Sequence, residues 1–317
     1  MHTLSFTGER QLRYPAPDVA RGFMLALIAL ANVPFWLRYF PEAPHAGHAA
    51  LSAMGSADQW WYLARTLFVD RRAYPLFSIL FGFGMAIMAS RTMERERRFA
   101  LEALPPELSA GWNPAEVVAG WHPVQRQILE ENIERHVRRT ASRLIRRRGW
   151  WMLAFGLVHA VFFSGDIIGA YGLVAVIFAE VIVMRRAWLR VLIGANIASR
   201  SLLGIWSMAA WVGREPMMLE FHDPVSLDAG YPLVSVASWL IATPMTVLTA
   251  LVVPCVMIGV GVARWGLLQD PRGRGALLSG IAACGLGIGA LGGLPFALMQ
   301  LDWAFVGSAA WSYPLFH

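Results

Sequence analysis

His159 and Asp166 stand seven residues apart in the run GLVHAVFFSGD, where Phe155, His159, Phe162 and Asp166 recur at helical spacing. A carboxylate two turns from an imidazole fixes which ring nitrogen carries the proton, the arrangement that general-base chemistry requires. The competing reading is a histidine that packs and hydrogen-bonds to a neighbouring helix. His159 lies eleven residues past Arg148, which is about 16 Å along a helix. Asn32 lies eleven residues past Arg21 and reaches a similar depth on another helix. It is either a substrate-contacting group or an interhelical hydrogen bond of about 0.6 kcal/mol. Arg200, ten residues beyond Arg190, is about 15 Å into a span. A charge there faces a cavity or a partner as part of a substrate site, or snorkels back to the interface.

The remaining candidates are basic. Arg146, Arg147 and Arg148 close the string RHVRRTASRLIRRR at a membrane edge, where guanidinium groups can hold phosphates. A solvated face that sets topology and meets anionic lipid is the alternative. Arg65, Arg71 and Arg72 are read as anchors of an interfacial helix, with a functional role as the alternative. His45 and His48 have no acidic or cysteine partner at metal-ligand spacing, and no metal is expected. Cys255 and Cys284 fall inside apolar runs and make neither a disulfide framework nor a metal site. The chain has no Walker glycine loop, no HExxH and no GxSxG.

The elements that position these groups are membrane helices. Of 317 residues, 56% are hydrophobic and 15% charged, with a mean hydropathy of +0.48, values that exclude a soluble globular domain. All 27 basic residues are Arg, against 21 acids. The net charge of +6 suggests nucleic acid only until the Arg are seen to cluster between apolar runs, where they set topology. No nucleic-acid partner is expected. The fold class is an all-α integral membrane protein, a polytopic helical bundle of about seven spans plus one interfacial helix. The spans run from about Val19 to Leu37, Tyr74 to Ser90, Gly149 to Phe163, Ile167 to Met184, Ala187 to Trp211, Leu233 to Val262 and Gly275 to Met299. Gln59 to Val69 is the interfacial or re-entrant helix.

The Arg bias places the N-terminus in the cytoplasm, the Gly165 turn outside and the segment from Arg91 to Arg148 inside. Pro244 and Pro254 predict kinks in the sixth span, and Gly285, Gly289 and Gly293 are spaced for close helix approach in the seventh. Gly82 and Gly84 read as helix packing. Four regions follow: 1–90, N-terminal spans with the interfacial helix; 91–148, a cytoplasmic basic segment; 149–212, a three-span core; and 213–317.

Four stretches resemble, in order, the YeiB-like family of bacterial membrane proteins, long catalogued as a domain of unknown function. They are DVARGFMLALIALAN (Asp18 to Asn32), YPLFSILFGFG (Tyr74 to Gly84), RRRGWWMLAFGLVHAVFFSGDIIGAYG (Arg146 to Gly172) and VPCVMIGVGVARWGLL (Val253 to Leu268). The block from Gly156 to Gly172 is the most specific. The resemblance implies a bacterial inner-membrane location and a place in the transmembrane acyltransferase superfamily. That superfamily includes the lysosomal enzyme that acetylates heparan glucosamine, and it uses cytosolic acyl-CoA to modify an acceptor. Some relatives pair an Arg with a His on the first span. The matching positions here are Arg21 and Asn32, so the histidine role does not transfer.

Two departures stand out. The insert between Arg91 and Arg148 is longer than in compact relatives. Family members also continue past His317, so the resemblance implies that the last region, 213–317, is a truncated C-terminal domain.

The resemblance and the residues together give a leading expectation, an acyltransferase moving an acyl group, of acetyl type, from acyl-CoA to a hydroxyl or amine. His159 would be the base and Asp166 its orienting partner. Arg21, Arg146, Arg147 and Arg148 would hold the cosubstrate, with Asn32 and Arg200 at the acceptor. The partners are then the lipid bilayer, acyl-CoA and an acceptor of unknown identity, with homo-oligomerisation left open. The rival expectation is a transporter or flippase, for which Arg200, the proline-broken sixth span and the glycine-rich seventh would line a substrate path.

Overall fold

The computed structural model describes residues 16–37, 55–70, 72–103, 123–163, 165–184, 192, 195–196, 199, 230–249, 252–266, 268, 273–301 and 303. Among these residues every regular element is an α-helix, and there is no strand. The helices are α1 (Ala16–Leu37), α2 (Ser56–Phe68), α3 (Ala73–Glu102), α4 (Pro123–Phe162), α5 (Ile168–Ile177), α6 (Ala179–Val183), α7 (Tyr231–Thr249), α8 (Val252–Trp265) and α9 (Gly275–Gln300). Long apolar stretches that leave water must satisfy their backbone internally, and the helix does so within one segment.

Among the described residues, three helical stretches are long and apolar enough to cross a membrane: Ala16–Val33, Ser56–Glu102 and Gly275–Leu294. The pair Tyr231–Val247 and Val252–Trp265 makes a fourth if taken as one broken span, bent by 52°. These helices indicate a multi-pass membrane protein. The expected fifth span, Ala187 to Trp211, falls largely outside the described residues and includes Arg200; Arg71 lies outside them too. The expected third and fourth spans are helical but short. Only fourteen residues separate the last Arg of the basic string from the end of α4, Gly149 to Phe162, giving about 20 Å against a hydrocarbon core of about 30 Å.

Two features cross boundaries that charge suggested. Helix α3 runs on through Arg91 to Glu102, and α4 starts with Pro123 and passes without interruption through Arg148 into the apolar run. Proline at a first helical position suits its missing N–H.

The core forms where α3, α4, α5, α6 and α8 meet, around Phe83, Ala141, Ile145, Tyr171, Val174, Val256 and Met257. Helices α3 and α8 make the most extensive pairing. Two glycines permit it: a Cβ on Gly82 would collide with the Val256 carbonyl, and one on Gly259 with the Ile79 carbonyl. Helices α4 and α5 close in the same way, with Gly149 against the Gly172 carbonyl and Gly156 against the Gly169 backbone. Small residues at such contacts let backbones approach where lipid gives no hydrophobic drive to association.

Helix α9 departs from this pattern. Gly285 has open space beside it, while Gly289 and Gly293 make room for the Arg72 side chain rather than for another helix.

Candidate active site

Helix α4 carries His159 in its last turn and ends at Phe162. The chain reverses, and Asp166 arrives just ahead of α5. Its Oδ1 accepts the Ile168 N–H at 3.1 Å and its Oδ2 the Gly169 N–H at 2.8 Å. These are donors that a helix start leaves without intrahelical partners, and a carboxylate there also complements the helix dipole. The same carboxylate meets His159 Nδ1 at 2.8 Å through Oδ1 and accepts the Trp239 Nε1–H at 2.8 Å through Oδ2. Its side chain is 0% exposed, while that of His159 is 42% exposed.

The chemistry follows from donor and acceptor capacity. An ionised carboxylate only accepts, so His159 carries its proton on Nδ1. That leaves Nε2 as the acceptor of the neutral ring. Asp166 is thereby fully engaged, which a buried carboxylate requires. The two residues that sequence spacing paired do meet, though by a different route. Asp166 does not continue the face of α4; the reversal after Phe162 folds it back onto the imidazole.

Packing from α7 completes the pair. Trp239 is buried, and a Cβ on Gly169 would stand 2.5 Å from its indole ring. A Cβ on Gly156 would stand 2.7 Å from Asp166 Oδ2. Ser235 Oγ donates to the Ala160 carbonyl at 2.5 Å and Tyr231 OH to the Phe162 carbonyl at 3.4 Å. Side chains of α7 therefore satisfy carbonyls that the end of α4 leaves open. Sequence reasoning missed Trp239. The signal available was an indole N–H inside an apolar run, which needs an acceptor when buried.

The other candidates among the described residues are not brought to this pair. Asn32 Oδ1 accepts from Tyr74 OH at 2.9 Å, joining α1 to α3. Ser78 Oγ donates to the Tyr74 carbonyl at 2.8 Å and lies 3.1 Å from Tyr171 OH, so a hydroxyl network runs on into α5. Arg21 pairs with Asp18 at 2.8 Å and donates to the Leu80 carbonyl at 3.2 Å, in space left by Gly84. Arg146 pairs with Glu180 at 3.1 Å, and Ser142 Oγ donates to the same Glu180 Oε1 at 2.8 Å. Glu180 was a second omission; an acid in the run from Ile167 to Met184 needs such partners.

Arg147 and Arg148 are exposed and make no ion pair among the described residues. Arg65 bonds Asp70 at 3.0 Å and stands 5.5 Å from the centre of the Tyr62 ring. Arg72 donates to the Thr66 and Asp70 carbonyls at 3.0 and 2.9 Å and to the Gly289 carbonyl, tying the α2–α3 corner to α9. Among the described residues, no group of three His, Cys, Asp or Glu could hold a metal ion.

The chain matches no protein-family model, no curated protein and no solved structure.

Proposed function

We propose that this chain is a transmembrane acyltransferase that moves an acyl group, of acetyl type, from cytosolic acyl-CoA to a hydroxyl or amine. The observation that carries the reading is the 2.8 Å contact between His159 Nδ1 and the buried Asp166 carboxylate, with the ring itself accessible. His159 Nε2 takes the acceptor's proton as the acceptor oxygen or nitrogen attacks the thioester carbonyl carbon. The C–S bond then breaks, and the proton passes from Nε2 to the departing CoA sulfur. Asp166 stabilises the imidazolium formed between these steps.

The exposed Arg147 and Arg148 would hold the CoA phosphates, because Arg146 and Arg21 are committed to carboxylates of this chain. From Arg148 to His159 is about 16 Å along α4, a separation suited to the flexible arm between CoA's phosphates and its thioester. The resemblance to YeiB-like proteins supports the same reading. With it go the finer expectations: about seven spans with the Gly149–Met184 hairpin as a short pair, a cytoplasmic N-terminus and a bacterial inner-membrane location.

The test is binding and turnover of radiolabelled acetyl-CoA in proteoliposomes. Acetyl-CoA should bind with an affinity that falls as salt rises. Replacing Arg147 and Arg148 together by Gln should weaken binding several-fold. A folded protein that binds no acyl-CoA contradicts the reading and favours a transporter, the reading to which the 52° bend between α7 and α8 lends itself.

A further inference from the structure

The surface around His159 carries information about the acceptor. On the exposed side of α4, Phe155 is 63% and Phe162 68% exposed, and Val158 beside them is exposed as well. Trp151, also exposed, lies 6.4 Å from Phe155 ring to ring and one turn below it. Large aromatic side chains thus climb this face from Arg148 to the imidazole, and among the described residues they stay largely uncovered. The polar half of the pair, Asp166, is enclosed behind the ring.

Depth sharpens the point. Arg148 and the exposed Trp150 and Trp151 mark an interface, since tryptophan and arginine gather where lipid meets water. His159 is ten residues beyond Gly149, about 15 Å along the helix, near the middle of a hydrocarbon core of about 30 Å. Helix α4 ends about 5 Å further on, still short of the far boundary. Non-helical backbone at that depth persists only where its polar groups find partners. Asp166, Tyr231 and Ser235 supply them at this reversal.

From this placement we infer that the acceptor is membrane-borne: a hydroxyl or amine carried by an amphiphile whose apolar chain lies along Trp151, Phe155 and Phe162 and reaches His159 sideways from the bilayer. The inference rests on the acyltransferase reading and narrows its substrate class. A water-soluble acceptor would have to cross this apolar face to reach Nε2. A lipid-borne one is already concentrated beside it, because its apolar chain partitions from water into the bilayer.

The experiment compares matched acceptors in proteoliposomes supplied with radiolabelled acetyl-CoA: ethanolamine and glucose, each free and each bearing a dodecyl chain. The chain-bearing members should be acetylated at least about tenfold faster. Replacing Phe155 and Phe162 together by Ser should raise their KM about tenfold and leave acetyl-CoA affinity unchanged. Equal or faster acetylation of the free acceptors, dependent on His159, would overturn the lipid route while leaving acyl transfer standing. So would an unchanged KM in the double variant. No His159-dependent transfer to any acceptor, and no His159-dependent release of CoA, would remove the acyltransferase reading and this inference with it.

Discussion

Four donors converge on the Asp166 carboxylate: the His159 imidazole, two backbone amides of α5 and the Trp239 indole. An amide at this position could not accept from all of them. Asp166→Asn should therefore cost about 1–3 kcal/mol of stability, since at least one buried donor loses its acceptor. It should also release the constraint that keeps the proton on Nδ1, lowering activity less than removal of the imidazole does. Thermal unfolding in detergent reads the first effect, and an unfolding midpoint identical to that of the unaltered protein would show that the carboxylate is not held as described. At this scale the sequence was legible where partners are close in the chain. His159 and Asp166, seven residues apart, could be paired by spacing. Trp239, which is 73 residues from Asp166, and Glu180, 34 from Arg146, could not, because helical periodicity says nothing about which helices become neighbours.

Among the elements, glycine has three separate uses that composition cannot distinguish. Gly82, Gly156 and Gly259 let helices touch backbone to backbone, Gly84 and Gly289 make room for arginines, and Gly280 faces open space. Gly156→Ala should thus press a methyl group against Asp166 and the Gly169 backbone, at a cost of about 1–3 kcal/mol. Gly280→Ala should cost nothing. Equal unfolding midpoints for these two variants would contradict the close α4–α5 contact.

Of the two prolines expected to kink the sixth span, Pro254 lies beside the break, whereas Pro244 sits inside the continuous helix α7. Pro254 is the third residue of α8, where a missing N–H does no harm, and the described helices on either side stop at Thr249 and resume at Val252. The continuation of α3 beyond Arg91 was not legible, because a change from apolar to charged residues marks the membrane edge and not the end of the helix.

For the molecule as a whole, the distribution of apolar residues was enough to read a helical membrane protein, and the described helices agree with that class. The number of crossings is harder to read. A 14-residue apolar stretch on α4 can be a short span or part of a re-entrant hairpin, and hydropathy alone does not separate them. Orientation can be settled by labelling single cysteines in a background without Cys255 and Cys284. Ser56→Cys should react from outside and Arg143→Cys from inside, both positions being exposed; Ser142, though on the same helix, is buried against Glu180. The reverse pattern would overturn the proposed topology and with it the proposed cytosolic entry of acyl-CoA.

The proposed acyl transfer depends on His159 acting as a base. The most direct measurement is the rate of acceptor-dependent CoA release by His159→Ala, taken beside its unfolding midpoint and acetyl-CoA affinity. Removal of a positioned base lowers the rate by about 10²- to 10⁴-fold, so the variant should fold, bind acetyl-CoA as before and lose turnover on that scale. Full turnover in His159→Ala would contradict the account, as would loss of the folded protein along with the activity, which would make His159 a packing residue.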